Sequence, residues 1–273
     1  MIYDLEKDIL KATAYKSGYV NEEDKYVISA SMVAKEPLQN YLSIVYGKVE
    51  ADSFNDATLG SVFHRGMEII MHEKRRTDDE PGIVWGIEHS MDVELSNGWV
   101  LSGTADLILQ PIPGHFEIRD YKTTKAYAHT MFKKDVHNHD YTKQLQVLEA
   151  LFREGNSRPA IIGSVTLVCD YFIKDAKALE FEKSHRPEVV PNRMGTEDVN
   201  ASNVLLGEIV EITNKLQEHI EGATLPLKCK DTWPRKVKGH TIHIRCQLYC
   251  SHNKVCPYYD ATTRTSVDRI SAW

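Results

Sequence analysis

The chain has 273 residues, enough for one large domain or a domain with an appendage. Hydrophobic residues are 42% and charged residues 26%, the balance of a globular protein with a buried core, which excludes collagen-like, low-complexity and wholly disordered chains. Lys and Arg number 33 against 39 Asp and Glu, a net charge of −6, so bulk charge does not coat nucleic acid, although a local basic groove stays open.

No apolar run reaches the about 18 residues of a membrane-spanning helix. The N-terminus is charged from Asp4 onward and lacks the apolar stretch of a signal peptide. Four of the five cysteines lie within residues 229–256, which points to a metal site in a reducing cytoplasm rather than to disulfides.

Residues 3–16 have helical composition. "SASMVAKEPLQNYLSIVYG" reads as one helix, with Ser residues for its N-cap and Gly47 for its C-cap. "DATLGSVFHRGMEIIMHEKRR" is a stronger one. Leu59, Val62, Phe63, Met67 and Ile70 form its apolar stripe, and basic residues sit at its C-terminal end, where the helix dipole favours them. The period then falls to two. "WGIEHSMDVELSNGWVLSGTADLILQ" alternates around Asn97-Gly98, a hairpin turn signal, and "FEIRDYKTT" reads as a third strand. "DYTKQLQVLEALFREG" is an amphipathic helix ending at Gly155. "AIIGSVTLVCDYFI" has the pattern of a strand buried on both faces. Residues 183–200, with Pro187 and Pro191, look like an excursion. "ASNVLLGEIVEITNKLQEHIEG" is a long amphipathic helix, and the last fifty residues show little periodicity. This order predicts an α/β sheet with helices on its faces, followed by a metal-binding appendage.

Acidic residues interrupt the apolar pattern at two strands. Asp106 lies in "GTADLIL", and Asp120 and Lys122 lie in "EIRDYKTT". Residues two apart on a strand share a face, so the Asp120 carboxylate and the Lys122 ammonium point the same way. If the two strands pair, Asp106 joins them. Carboxylates converging in a partly buried place repel unless a cation lies between them. Hard oxygen ligands suit Mg²⁺ or Mn²⁺, which activates water and neutralises charge on a phosphate. His64 and Glu68 share a helix face four residues apart, and His64 offers a nitrogen ligand. Gln144, with Tyr141 one turn before it, is placed to orient water or a phosphate.

Taken in order, "LGSVFH…E", "GTAD", "DYKTTK" and "YTKQLQVLEAL" resemble the RecB-like branch of the PD-(D/E)XK nuclease superfamily. That branch includes the nuclease domains of RecB and AddB, CRISPR-associated RecB-like exonucleases and many phage exonucleases. The resemblance spans about residues 29–155, and "ISASMVAKEPLQNYL" is similar to the family's opening helix. It implies a restriction-endonuclease-like core, a central mixed sheet flanked by helices, over residues 1–225, with a cysteine-rich metal-binding segment over 226–273. By position it implies that His64, Asp106, Asp120 and the backbone carbonyl of Tyr121 hold Mg²⁺ or Mn²⁺. Lys122 would polarise the attacking water or stabilise the phosphorane charge, and Glu68 would support the site. Gln144 matches the Gln of the family's Q-x-x-x-Y motif. The Tyr of that motif is Leu148 here, a departure for which Tyr141 is the substitute.

Cys246, Cys250 and Cys256 have the spacing C-x3-C-x5-C. Thiolates at such intervals ligate zinc or iron–sulfur clusters. Many RecB-like nucleases hold a 4Fe–4S cluster with one upstream Cys and a terminal C-x2-C-x5-C. Here the upstream position is Glu36, before Pro37, so either Cys229 supplies the fourth ligand or the metal is Zn²⁺ with His240, His243 or His252. Cys169, in the buried strand, reads as a core residue.

Lys125, Lys133 and Lys134, then Arg235 and Lys236, are candidate phosphate contacts for a DNA path, with Tyr141 beside them. The expected function is a divalent-metal-dependent DNA exonuclease in recombination, repair or phage DNA processing, in a bacterial or phage-infected host cytoplasm. No GxxxxGK[ST] motor motif is present, so processive action calls for a helicase, recombinase or single-strand-binding partner, or an encircling homo-oligomer. The alternatives are an endonuclease or flap-type nuclease, and a non-catalytic nucleic-acid-binding module with a zinc site.

Overall fold

The computed structural model describes residues 25–46, 54–77, 84–124, 126, 129–130, 139–173, 184–191, 199–230, 234–237 and 240–243, together with 246, 250, 252 and 256–258. The helix expected over residues 3–16 lies outside these. Two compact units are formed, one from Met1–Ala34 and Ser53–Glu211, the other from Lys35–Asp52 and Ile212–Trp273.

The first unit is a mixed sheet flanked by helices, as the sequence predicts. Strand β1 (Val27–Ser29) leads directly into α1 (Ala30–Val33), whose N-cap is Ser29: its Oγ accepts from the Met32 N–H at 3.3 Å. The single helix expected over 29–47 is instead two, because α2 (Pro37–Tyr46) starts afresh in the second unit. Pro37 has no N–H to continue α1, and it pushes Glu36 away from helical geometry. The Glu36 carbonyl then accepts from Gln39 and Asn40 and opens the new helix.

Helix α3 (Phe54–Thr77) presents Phe63, Met67 and Met71 to a core of Val84, Leu107, Tyr121 and Phe172. The expected stripe is therefore shifted: Val62 and Ile70 are half exposed, at 51% and 50%. Burial follows the i, i+4 row from Phe63 rather than the wider set of apolar positions.

Strands β2 (Val84–Glu94) and β3 (Val100–Ile112) form the predicted hairpin, paired antiparallel from Val84–Leu109 to Glu94–Val100. Gly98 turns the chain at φ +82, a left-handed conformation open to glycine, and the Leu95 N–H donates to the Trp99 carbonyl at 2.7 Å. β3 also pairs parallel with β1 and antiparallel with β4 (His115–Thr124). Helix α4 (His139–Glu154) is the crossover to β5 (Ser164–Ile173), which runs parallel to β4 along its whole length. Gly103 in β3 lets α4 approach: a Cβ there would meet Leu148 Cδ2 at 2.7 Å and Leu151 Cδ1 at 2.8 Å. Leu148, at the position of the family tyrosine, is thus a fully buried packing residue.

β6 (His185–Val189) pairs antiparallel with β5 and ends the sheet, inside the stretch read as an excursion. Pro187 hides it from sequence reading, and a proline is tolerated there because an edge strand leaves one row of N–H positions unpaired. β5 carries a buried Asp170, held by Arg119 Nη1 at 3.0 Å and His185 Nε2 at 2.6 Å. Helix α5 (Val199–Glu221) passes from the first unit into the second, which also holds the hairpin β7 (Pro234–Val237) and β8 (His240–His243). No described helix is long and apolar enough to cross a membrane.

Candidate active site

β4 supplies Asp120 and Lys122 on one face. β3 supplies Asp106, one step beyond the Leu107–Arg119 and Ile108–Ile118 pairs and so opposite Asp120. α3 supplies His64, and the first turns of α4 supply Tyr141 and Gln144. Segments far apart in the chain converge because the hairpin register and the crossover bring the ends of β3 and β4 beside both helices.

Asp106 is the junction. Its Oδ1 lies 3.3 Å from His64 Nδ1, and its Oδ2 accepts from the Tyr121 backbone N–H at 2.5 Å. Asp120 is 3% exposed, and its two oxygens face different partners. Gln144 Nε2 donates to Oδ1 at 3.2 Å, and Lys122 Nζ lies 2.7 Å from Oδ2. The second contact is a buried ion pair, so both oxygens of Asp120 are engaged. Lys122 Nζ also sits over the Tyr141 ring, 5.1 Å from its centroid, within the range of a cation–π contact.

These contacts decide charge states. Burial disfavours the Lys122 ammonium, but the charge and hydrogen bond of Asp120 override it and hold Lys122 protonated, above the ordinary lysine range. Burial pushes the Asp120 carboxyl up, against the pull of Lys122. For His64, burial is outweighed by the hydrogen bond and charge of Asp106, so its pKa is raised.

One member was not legible in the sequence. Glu88, in β2, joins His64 and Asp106: one ligand atom from each lies within 4.8 Å of the others. Burial, and then the charge of Asp106, push the Glu88 carboxyl up to about 7. In "VWGIEHSMDVE" it falls in register with Gly86 and Ser90, a polar row that reads as a solvent face. One imidazole nitrogen and two carboxylates form a mainly oxygen donor set that fits Mg²⁺ or Mn²⁺.

Of the remaining candidates, Glu68 pairs with Arg65 and lies 3.9 Å from His72, and its charge acts on Glu88. Lys125, Lys133 and Lys134 lie outside the described residues. Arg235 and Lys236 are on β7, where Lys236 is exposed and the Arg235 side chain is outside the description.

This arrangement, two carboxylates and a lysine on paired strands with helices on either side, matches a known architecture. The sequence model of the PD-(D/E)XK nuclease superfamily covers residues 71–257, including Asp106, Asp120, Lys122 and Gln144. The chain belongs to this superfamily. Its members use divalent metals, in keeping with the donor set. The fold is shared with the crystal structure of SSO0001, at 15% identity and a TM-score of 0.53 over 94% of this chain and 95% of that one. The alkaline exonuclease LHK-Exo from Laribacter hongkongensis aligns with 72% of this chain and 92% of its own, at 12% identity and a TM-score of 0.42. A complex of LHK-Exo with dAMP aligns equally, at 13% identity. No curated protein sequence gives a significant match.

In the second unit, Cys229, Cys246, Cys250 and Cys256 lie in one neighbourhood, and none is in a disulfide. Burial, then Glu36, then the other three cysteines push the Cys229 thiol up to about 12. Glu36 and Cys229 therefore face the same cluster. His252, buried beside it in sequence, meets Ser43 of α2 at 3.3 Å. Cys169 is fully buried in β5, as expected of a core residue.

Proposed function

We propose that the protein is a divalent-metal-dependent DNA exonuclease of the RecB-like branch, acting in recombination, repair or phage DNA processing. The observation that carries this reading is the convergence of Asp106, Asp120 and Lys122 beside His64 and Gln144. A binding module has no need of a buried Asp–Lys pair on the strand that the superfamily uses for chemistry. The preference for ends follows the RecB-like resemblance.

A bound Mg²⁺ or Mn²⁺ supplies an acidified water and neutralises charge on the phosphate. His64, Asp106, Asp120 and the Tyr121 carbonyl are the proposed ligands. Gln144 and Lys122 hold the two oxygens of Asp120 in place. Lys122, kept protonated, is a poor base, so its role is to stabilise negative charge on the phosphorane oxygens. Tyr141 supports it from below and lies at the edge of the proposed DNA path. Lys125, Lys133, Lys134, Arg235 and Lys236 contact phosphates along that path, and Glu68 acts indirectly. Charge reversal at Lys133 and Lys134 should weaken DNA binding and flatten its salt slope.

We read residues 1–225 as the nuclease core and 226–273 as its metal-binding segment, with a 4Fe–4S cluster on Cys229, Cys246, Cys250 and Cys256. The four thiols in one neighbourhood and the C-x3-C-x5-C spacing support a thiolate-held metal group. Iron and sulfide in the purified protein support this reading, and zinc alone overturns it. The cytoplasm keeps such thiolates reduced. A helicase, recombinase or single-strand-binding protein, or self-assembly around DNA, would supply processivity.

The deciding experiment is cleavage of end-labelled linear single- and double-stranded DNA and of closed circles, with Mg²⁺ or Mn²⁺, beside Lys122→Ala. Loss of linear DNA alone, abolished in the variant, supports the exonuclease. Cutting of circles indicates an endonuclease. No variant-sensitive cleavage leaves a binding module.

A further inference from the structure

Besides the register shift between Val84 and Gly86, the β2–β3 hairpin departs from strand alternation at Glu88. Ile87 packs against the same core of Val84, Leu107, Tyr121 and Phe172 as Phe63 and Met67 of α3. His89, two residues on, meets Trp85 edge to face at 4.8 Å, and Trp85 meets Phe152 of α4 at 5.2 Å. Residues two apart on a regular strand share a face, and these lie on opposite faces. The residue between them, Glu88, has φ +44. β3 reverses in the same region: Gly103 faces Leu148 and Leu151 of α4, whereas Leu107 packs with α3.

A left-handed backbone at a glutamate is strained, because its Cβ crowds the following carbonyl, and such strain persists only where the surroundings enforce it. The pairs Ile87–Leu107 and His89–Ala105 flank Glu88, so it stands directly across from Asp106. Two carboxylates facing each other across an antiparallel pair repel. Neither has a Lys or Arg ion-pair partner among the described residues. The reversal thus delivers the Glu88 carboxylate to the Asp106 carboxylate and a His64 nitrogen, one ligand atom of each within 4.8 Å of the others.

We infer that Glu88 is a ligand of the divalent cation together with His64 and Asp106, and that the reversal in β2 exists to aim it there. This rests on the nuclease reading and adds a ligand from a strand to which the sequence motifs assign none. A cation bound this way ties β2 to β3 and α3, so it should stabilise the hairpin as well as serve the reaction.

The test is Mn²⁺ binding to the full chain by calorimetry and electron paramagnetic resonance, with DNA cleavage measured on the same samples. The proteins are wild type, Glu88→Gln, Glu88→Gly and, as a carboxylate control on the same strand, Glu94→Gln. Outer partners of a metal site cost about tenfold or more in affinity, so losing a ligand should cost at least that in Glu88→Gln and in Glu88→Gly. Glu88→Gly should also raise the melting temperature of the metal-free protein, since glycine adopts positive φ freely. Glu94→Gln should bind as wild type does. If wild type binds Mn²⁺ and cleaves DNA while both Glu88 variants lose less than that factor, the role of Glu88 is overturned and the nuclease stands. If wild type binds no Mn²⁺, both readings fall together.

Discussion

Lys122 Nζ lies 2.7 Å from Asp120 Oδ2, the two side chains leaving β4 on one face two residues apart. Each partner makes the other tolerable in a buried place. Without the ammonium, Asp120 would be an uncompensated carboxylate. Without the carboxylate, Lys122 would lose its charge more readily.

Lys122→Met should therefore do two separable things. Cleavage should fall by about 10²–10³-fold or more, the scale of losing a charge-stabilising donor. The metal-free protein should also lose up to about 3–5 kcal/mol, because a buried carboxylate is left alone. Added Mn²⁺ should recover part of that loss, read as a larger metal-induced rise in melting temperature than wild type shows.

Gln144 acts through Asp120, to which it donates at 3.2 Å. Gln144→Leu keeps the bulk and removes the donor. It should lower kcat or metal affinity by about 10–100-fold, with little change in DNA binding measured without metal. Gln144→Glu should be worse, because it places a second carboxylate against Asp120.

The Tyr141 ring lies 5.1 Å from Lys122 Nζ. Tyr141→Phe retains the ring face and should stay within a few-fold of wild type. Tyr141→Leu removes about 0.5–2 kcal/mol of cation–π attraction and should reduce cleavage more than Tyr141→Phe does. Equal loss in both variants would assign the effect to the hydroxyl.

Gly155 ends α4, and its N–H donates to the Leu151 carbonyl at 2.7 Å. A Cβ at this position would collide with that carbonyl oxygen and sit 3.0 Å from the Asp92 carbonyl oxygen, so backbone must shift. Gly155→Ala should destabilise by about 1–3 kcal/mol, seen as a lower urea midpoint with an unchanged slope.

Cys229 gives a pH prediction for the metal-free protein. Its thiol, ordinarily near 9.0, is raised to about 12 in the fold by burial and the neighbouring Glu36 and cysteine charges. Between those values the unfolded chain has released the proton and the folded chain has kept it, so stability falls as pH rises through that window. Thermal melts above pH 9 should show the decline, and Cys229→Ser should flatten it. Below that window the same thiol should alkylate more slowly than an ordinary cysteine.

Much of the active site was legible because it obeys short-range rules. Asn97-Gly98 announces the β2–β3 hairpin, and that hairpin brings "GTAD" beside "DYKTT". The parity of Asp120 and Lys122 places both on one face with no knowledge of the rest. Gly155 marks the end of α4. Local signals misled where two of them competed: Pro37 splits a helix whose apolar spacing runs on, and Pro187 lies in a strand because that strand is the sheet edge. On α3 the composition offered more apolar positions than the core accepts, and packing against Leu107, Tyr121 and Phe172 selected Phe63, Met67 and Met71.

The amino-acid sequence by itself determined the sheet and its flanking helices, the Asp–Lys pair on β4 and the cysteine spacing, since each depends on residues within a turn or a hairpin of one another. Tertiary structure alone decided that Glu88 faces His64 and Asp106, because a left-handed glutamate is adopted only under the packing of two helices on opposite faces of β2. It also set Glu36 near enough to Cys229 for its charge to act on the thiol, a contact between distant residues that the family resemblance suggested and no local pattern encodes.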